Sequence, residues 1–136
     1  MRTTRTILAS SLIAMTCLLA SCSSSGIADS RTQGIPEGVQ LDAHTESPSV
    51  IAYDDGSIDV VTLGSGSCPP SATAIEVNDD QIVVTFEPST NDVCTADISP
   101  TTHSFSADMV GWEVPDTALI VFTDFDEPVE VDVIRG

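Results

Sequence analysis

Residues 68–94, CPPSATAIEVNDDQIVVTFEPSTNDVC, decide how the folded part of this chain is built. Thr73–Val77 and Gln81–Phe86 alternate apolar and polar residues with the period of two that β-strands require. Asn78-Asp79-Asp80 between them has the composition of a turn. The stretch therefore predicts a β-hairpin with a cysteine beyond each of its outer ends.

Cys68 and Cys94 are predicted to form a disulfide. The other two cysteines, Cys17 and Cys22, lie in and directly after an N-terminal apolar segment, which leaves one pair for the folded part. A zinc site or a redox pair is disfavoured, because no histidine lies near these cysteines and their spacing is not Cys-x-x-Cys. On the chain-entropy model, closing a loop of this length stabilises a fold by about 3.5 kcal/mol.

The apolar runs on either side of this hairpin predict an all-β protein. No helical period appears after the leader, and short strand patterns recur at regular spacing between turn sequences such as Asp54-Asp55-Gly56. We expect a small single-domain β-sandwich of about seven or eight strands over residues 48–136. The further strand candidates are Ser49–Tyr53, Ile58–Leu63, Val93–Asp97, Thr101–Ser106, Ala118–Thr123 and Val129–Ile134, with an irregular crossover over Ala107–Thr117.

The N-terminus has the pattern of an export signal. Two arginines precede an apolar segment, Ile7–Ala20, which is shorter than the roughly 20 residues of a spanning helix. Residues 1–21 are therefore predicted to be a signal peptide. The polar stretch that follows is rich in Ser, Gly, Pro and Thr, and it predicts a flexible tether over residues 22–47.

Leu19-Ala20-Ser21-Cys22 at the end of the apolar segment resembles the lipobox of bacterial lipoproteins. The resemblance implies cleavage between Ser21 and Cys22 and a diacylglyceryl group, with acyl chains such as palmitate, on the Cys22 sulfur. It also implies a lipid-anchored protein on the extracytoplasmic face of the cell membrane, since two acyl chains anchor a protein stably. Ordinary signal cleavage after Ser21 and an uncleaved anchor are the alternatives.

A second resemblance concerns the folded part. The frame Cys68-Pro69-Pro70, Val93-Cys94-Thr95-Ala96-Asp97 and Pro100-Thr101-Thr102-His103 is similar to small lipoproteins and secreted β-domains of actinobacteria, over roughly Val50 to Ile134. This resemblance implies an exported β-fold and no particular activity. A halophilic archaeal origin is the alternative suggested by an acidic chain without lysine.

The charge balance excludes two classes of partner. The chain has 21 Asp plus Glu against four Arg and no Lys, for a formal net charge of −17. Nucleic-acid binding and electrostatic docking onto anionic lipid both need a cationic surface, which this composition does not supply. We expect the acidic residues to form a solvated surface, with the membrane as a partner through the lipid alone.

No pattern for catalysis stands out. Gly-x-Ser-x-Gly is absent, there is no lysine for Schiff-base chemistry, and the histidines are His44 in the predicted tether and His103 at a strand end. We therefore expect a protein without enzymatic activity or cofactor, with a binding or structural role toward an unknown protein or cell-envelope partner. A small hydrolase with an unrecognised site is one alternative, for which His103 is the candidate base.

Two further features have a structural and a functional interpretation. Asp124, Asp126 and Glu127 supply oxygen ligands of the kind that Ca²⁺ prefers, although acidic residues are common in turns for conformational reasons. They are the weak candidates for a calcium-dependent adhesion module. Trp112 is predicted to cover one end of the core, with an exposed binding residue as the alternative.

Overall fold

The computed structural model describes residues 26–41 and 47–136; the predicted signal peptide, residues 1–21, and Cys22 lie outside the described residues. Eight strands and one short helix follow one another along the chain. They are β1 (Ser30–Gln33), β2 (Ser49–Ala52), β3 (Ile58–Gly64), β4 (Ser71–Val77), β5 (Gln81–Glu87), β6 (Ser99–Phe105), α1 (Ala107–Val110), β7 (Thr117–Phe122) and β8 (Val129–Arg135).

The strands form one mixed sheet in the order β1-β6-β3-β2-β8-β7-β5-β4. Most neighbours are antiparallel, while β2 pairs with β8 and β5 pairs with β7 in parallel. β8 pairs with β2 through its second half and with β7 through its first half, so it joins the two halves of the sheet. A parallel pair needs a long connection, and the β5–β7 connection runs through β6 and α1.

The two edges of this sheet meet because the sheet curls. Gly26, just before β1, forms an isolated bridge with Ala72 of β4, and the Ile27 N–H donates to the Ala72 carbonyl at 2.8 Å. The Arg31 guanidinium on β1 donates to the Ser71 hydroxyl at 3.2 Å, which adds a side-chain contact at the same seam. Some of the backbone hydrogen-bonding groups at the two sheet edges are thus paired within the molecule.

The core lies inside the curl and receives side chains from both halves of the sheet. Val50, Val60 and Phe105 contribute from one half, and Ile82 and Phe86 from the other, all with 0–1% of their surface exposed. The predicted all-β fold with about eight strands and one disulfide is confirmed. The two halves of one curled sheet take the place of the two layers expected for a sandwich.

The central hairpin is confirmed, with one irregularity in β4. The two strands pair with Ile75 opposite Val84 and Val77 opposite Ile82. The register shifts between Ala72 and Ala74, so Thr73 is an extra residue that reverses the alternation along β4. Ala72 consequently points into the core although it lies out of phase with Ile75.

The predicted tether is wrong over its middle part. Residues 30–33 form β1, which pairs with β6 along four residues, and Ala28 is 5% exposed in the core. The sequence Ser-Arg-Thr-Gln has no alternating apolar pattern, so sequence alone does not predict a strand here. Backbone hydrogen bonds to β6 hold the strand, and its own side chains bury little. The folded part therefore begins well before the predicted boundary at residue 48.

Two smaller predictions are also corrected. Val93–Asp97 is a loop held by the disulfide and by side-chain hydrogen bonds, and β6 begins after it, at Ser99, and passes through Pro100. Proline is tolerated there because it lies at the start of the strand, where a ladder donor is dispensable. The predicted crossover contains the four-residue helix α1, which is too short for a helical period to be visible in the sequence.

The loops gather at two opposite ends of the curled sheet. We call the first the disulfide end; it consists of residues 34–41, 64–70, 88–98 and 123–128. We call the second the Trp112 end; it consists of the turns 53–57 and 78–80, the segment 106–116 and Gly136. The predicted turn at Asp54-Asp55-Gly56 is confirmed, since the Gly56 N–H donates to the Tyr53 carbonyl and Gly56 has a φ of 82°.

Candidate functional site

The disulfide end is organised around the Cys68–Cys94 bond, which confirms the predicted pairing; the two Cα atoms lie 5.4 Å apart. Beside it, the hydroxyls of Ser65 and Ser67 lie 3.0 and 3.1 Å from the Thr95 hydroxyl. The Thr95 N–H donates to the Ser67 hydroxyl at 2.9 Å. These bonds join the loop before β4 to the loop before β6.

Asp97 is the acceptor at the centre of this hydroxyl network. Its carboxylate accepts from the hydroxyls of Ser99 and Thr95 and from the Gly66 N–H at 3.1 Å. The Ser99 and Thr95 bonds lower the pKa of Asp97 to about 2, so the group stays ionised at neutral pH. All of its donors are neutral; Thr95 and Ser99 are each two residues from Asp97, and Gly66 lies in the loop before β4, so the carboxylate fixes how the two segments meet. Local sequence patterns do not predict this network, because Gly66 and Asp97 are 31 residues apart in the chain.

An apolar cleft of about 590 Å³ also opens at the disulfide end. Leu63, Phe122 and Phe125 line it together with Pro48 and Val129, and the carboxylates of Asp126 and Glu127 stand at its edge. Phe125 is 68% exposed, and its ring packs edge-on against Phe122 at 6.0 Å between centroids. The sequence signal for this surface is a phenylalanine between two acidic residues in a turn, a signal that the sequence-based predictions above do not include.

The three weak calcium candidates lie on the turn that carries Phe125. Asp124, Asp126 and Glu127 are all exposed. Among the residues that the structure describes, no three of His, Cys, Asp and Glu come close enough together to hold a metal ion. These carboxylates therefore share a turn without sharing a coordination site.

His103 lies inside the molecule, in the middle of β6, and the prediction that it is a strand-end residue is wrong. The residue is 0% exposed, and its Nε2 lies 3.0 Å from the Thr62 hydroxyl. Burial, with a smaller effect from the Arg31 guanidinium, lowers the pKa of His103 to about 4. The Phe86 ring packs edge-on against it at 4.8 Å. The ring is therefore not accessible to act as a base on a substrate in solution.

Trp112 is 80% exposed at the opposite end, so the prediction that it covers the core is wrong. Gly111 ends α1 with a φ of 92°, and the chain leaves the helix there in a direction that places the indole outside the sheet. The side chain stands beside an open cleft of about 560 Å³ that is lined also by Val77, Asp79 and Glu113. The exposed position matches the binding alternative considered from the sequence.

Comparison with protein-family models, with curated proteins and with solved structures found no match for this chain. No helix within residues 26–41 and 47–136 has the length and the hydrophobicity needed to span a bilayer. Three features of the chain point to a function: the sequence motif at Cys22, the apolar cleft at the disulfide end and the exposed indole at the Trp112 end.

Proposed function

We propose that this protein is a lipid-anchored binding module on the extracytoplasmic face of the cell membrane, without enzymatic activity. Support for the anchor comes from Leu19-Ala20-Ser21-Cys22 after a short apolar segment. Support for export comes from the disulfide between Cys68 and Cys94, since such bonds persist mainly in oxidising compartments outside the cytoplasm.

The observation that carries the binding role is the exposure of Trp112. The chain has only six aromatic residues of the types Trp, Tyr and Phe, and large aromatic side chains are usually placed in the core. Its single Trp is instead 80% exposed. Trp is enriched among the residues that dominate protein interfaces, because it buries a large area at low entropic cost. The carboxylates of Asp79 and Glu113 beside it favour a partner, protein or cell-envelope polymer, that carries positive charge.

The anchor is tested by changing single cysteines in the full chain. Cys22→Ala is expected to abolish incorporation of labelled fatty acid and to release the protein from the membrane fraction or leave an uncleaved precursor. Cys17→Ala is the matched control, since this cysteine lies inside the apolar segment, and it is expected to leave labelling intact. Labelling that survives Cys22→Ala, or wild-type protein without label, would overturn the lipid anchor.

The binding role is tested by placing a photo-crosslinking amino acid at position 112 in cells. We expect a discrete crosslinked species that is missing when the same probe replaces Asp132, an exposed residue on β8. The species should weaken when Asp79 and Glu113 are changed to Asn and Gln, because the charge that favours the partner is then removed. Equal crosslinking from positions 112 and 132 would contradict a specific surface at Trp112.

A further inference from the structure

Only a short stretch of chain joins the proposed lipid anchor to the folded sheet. Gly26 is already bonded into the seam through Ala72, and it lies only four positions after Cys22. Four residues of fully extended chain reach at most about 14 Å. If Cys22 is lipidated, Gly26 therefore cannot stand farther than that from the membrane surface, which is well below the reach of the long tether that the sequence predicted.

The seam places Gly26 near the disulfide end of the sheet. Ala72 is the second residue of β4, directly after the Cys68-Pro69-Pro70 loop, and it pairs with Phe86, which in turn pairs with Phe122. Three strand spacings from Gly26 to Phe122 amount to at most about 15 Å. The cleft and the exposed Phe125 consequently lie on the side where the chain leaves toward Cys22.

The Trp112 end lies farther away along the strands. Val77, which lines the cleft beside Trp112, is five residues beyond Ala72 on β4, a distance of roughly 16 Å along the strand. A short spacer at Gly26 thus holds the start of β4 close to the bilayer, and the cleft beside Trp112 lies farther along that strand.

The disulfide end also has the apolar side chains that a membrane surface would accept. Four large hydrophobic residues in its loops are 46–84% exposed; they are Ile35, Val93, Ile98 and Phe125. They come from three different loops, with Val93 and Ile98 in the same one, and the fold brings them to one end. Exposed apolar residues grouped in this way mark a contact surface, and apolar side chains partition into the interfacial region of a bilayer.

We propose that the disulfide end rests against the bilayer in which Cys22 is anchored, with Phe125, Val93 and Ile98 at the lipid headgroups and Trp112 directed away from the membrane. This inference rests on the proposed lipid anchor. The contact is apolar and depends on the tether, since Asp124 and Asp126 flank Phe125 and these carboxylates repel anionic lipid. The orientation leaves the Trp112 end free for a partner in the extracytoplasmic space.

The orientation is tested by tryptophan fluorescence in two proteins, each with its single Trp at a different end of the molecule, which is possible because the chain has one Trp. The full-length lipidated protein is placed in phosphatidylcholine vesicles whose acyl chains carry bromine, which quenches a nearby indole. The wild type reports on the Trp112 end, and the double variant Trp112→Phe with Phe125→Trp reports on the disulfide end. We expect the double variant to lose emission and shift to shorter wavelength, while the wild type keeps the emission it has in unbrominated vesicles.

Mass spectrometry of the Cys22 peptide separates the two proposals. A peptide without lipid would overturn the anchor, and the inference with it. A lipidated protein whose relocated tryptophan keeps its emission, or whose two reporters are quenched equally, would overturn the orientation alone. Replacing part of the phosphatidylcholine by an anionic lipid at low salt is expected to weaken the quenching of the relocated tryptophan, and stronger quenching there would also contradict the proposal.

Unmodified protein provides a second measurement if the double variant fails to fold. A carbene photoreagent dissolved in the lipid phase is expected to label peptides that contain Val93 or Phe125 and to leave the peptide of Trp112 unlabelled. The reverse distribution would overturn the orientation. Soluble full-length Cys22→Ala protein mixed with the same vesicles is the matched control, and it is expected to show weaker labelling because the tether no longer concentrates the surface at the membrane.

Discussion

At the scale of single residues, His103 is the group whose environment differs most from water. Its Nδ1 is buried and has no hydrogen-bond partner among the described residues, while Nε2 faces the Thr62 hydroxyl. Burial disfavours the charged imidazolium, and Arg31 on the neighbouring β1 adds repulsion, so the pKa falls to about 4. A neutral ring in a tightly packed position is a structural arrangement that becomes unfavourable when the ring is protonated.

This arrangement predicts an acid-dependent loss of stability. Between the ordinary pKa of about 6.5 and the folded value of about 4, the unfolded chain binds a proton at His103 that the folded chain does not. The free energy of unfolding should thus fall as pH drops through this window, by about 3 kcal/mol in total. Urea unfolding of the wild type and of His103→Gln at pH 7 and pH 4.5 measures it, and an equal pH dependence in both proteins would contradict the assignment.

At the scale of elements, the segment from Gly26 to β1 closes the curled sheet. A Cβ added at Gly26 would lie 2.0 Å from the Ala72 carbonyl oxygen, and the φ of 70° at this position already favours glycine. The segment therefore approaches β4 as closely as a glycine backbone permits. Its short polar strand contributes through backbone pairing and closure, which explains why residue composition alone suggested a tether.

Gly26→Ala is expected to destabilise the fold markedly more than Gly38→Ala. Both glycines have a positive φ, which costs an alanine about 1 kcal/mol, but no atom lies within 4 Å of a Cβ at Gly38. The clash at Gly26 should add roughly 1–3 kcal/mol, by analogy with overpacked positions. Urea unfolding of the two variants measures the difference, and equal stabilities would show that the seam does not support the folded state.

At the scale of the whole molecule, charge opposes folding. The formal net charge is −17, and the two arginines of the described residues are already engaged: Arg31 contacts Ser71, and Arg135 forms an ion pair with Asp116 at 2.6 Å. The remaining carboxylates repel one another across a small surface. Such repulsion keeps the protein soluble and lowers the stability of the compact state.

Added salt is therefore expected to raise the midpoint of urea unfolding, and Ca²⁺ should act no more strongly than Mg²⁺ at equal ionic strength. A calcium site would behave differently, since metal at 100 times its dissociation constant stabilises a fold by about 2.7 kcal/mol. Asp124→Asn with Asp126→Asn is the matched variant, and its salt response should resemble that of the wild type within about 0.5 kcal/mol. A calcium-specific gain that the variant loses would reinstate the adhesion alternative.

Local sequence patterns alone were sufficient to predict several structural features of this protein. The period of two located the central hairpin and the strand over Val129–Ile134, and a continuous apolar run located the strand over Ala118–Thr123. The count of cysteines identified the Cys68–Cys94 bond. These features depend on neighbours in sequence or on a single available partner, so they can be read without knowing the strand order. The lipid anchor at Cys22 is a prediction of the same local kind and remains to be tested.

Tertiary structure alone decided the other features of the fold, because these features depend on contacts between segments that are distant in sequence. β1 has no apolar alternation and exists through its pairing with β6; the bulge at Thr73 reverses the face of β4; and His103 is buried only because β6 lies inside the sheet, next to β3. The same holds for the candidate surfaces. The exposure of Trp112 and the gathering of Phe125 with Val93 and Ile98 at one end follow from the curl of the sheet, which short-range sequence patterns do not encode.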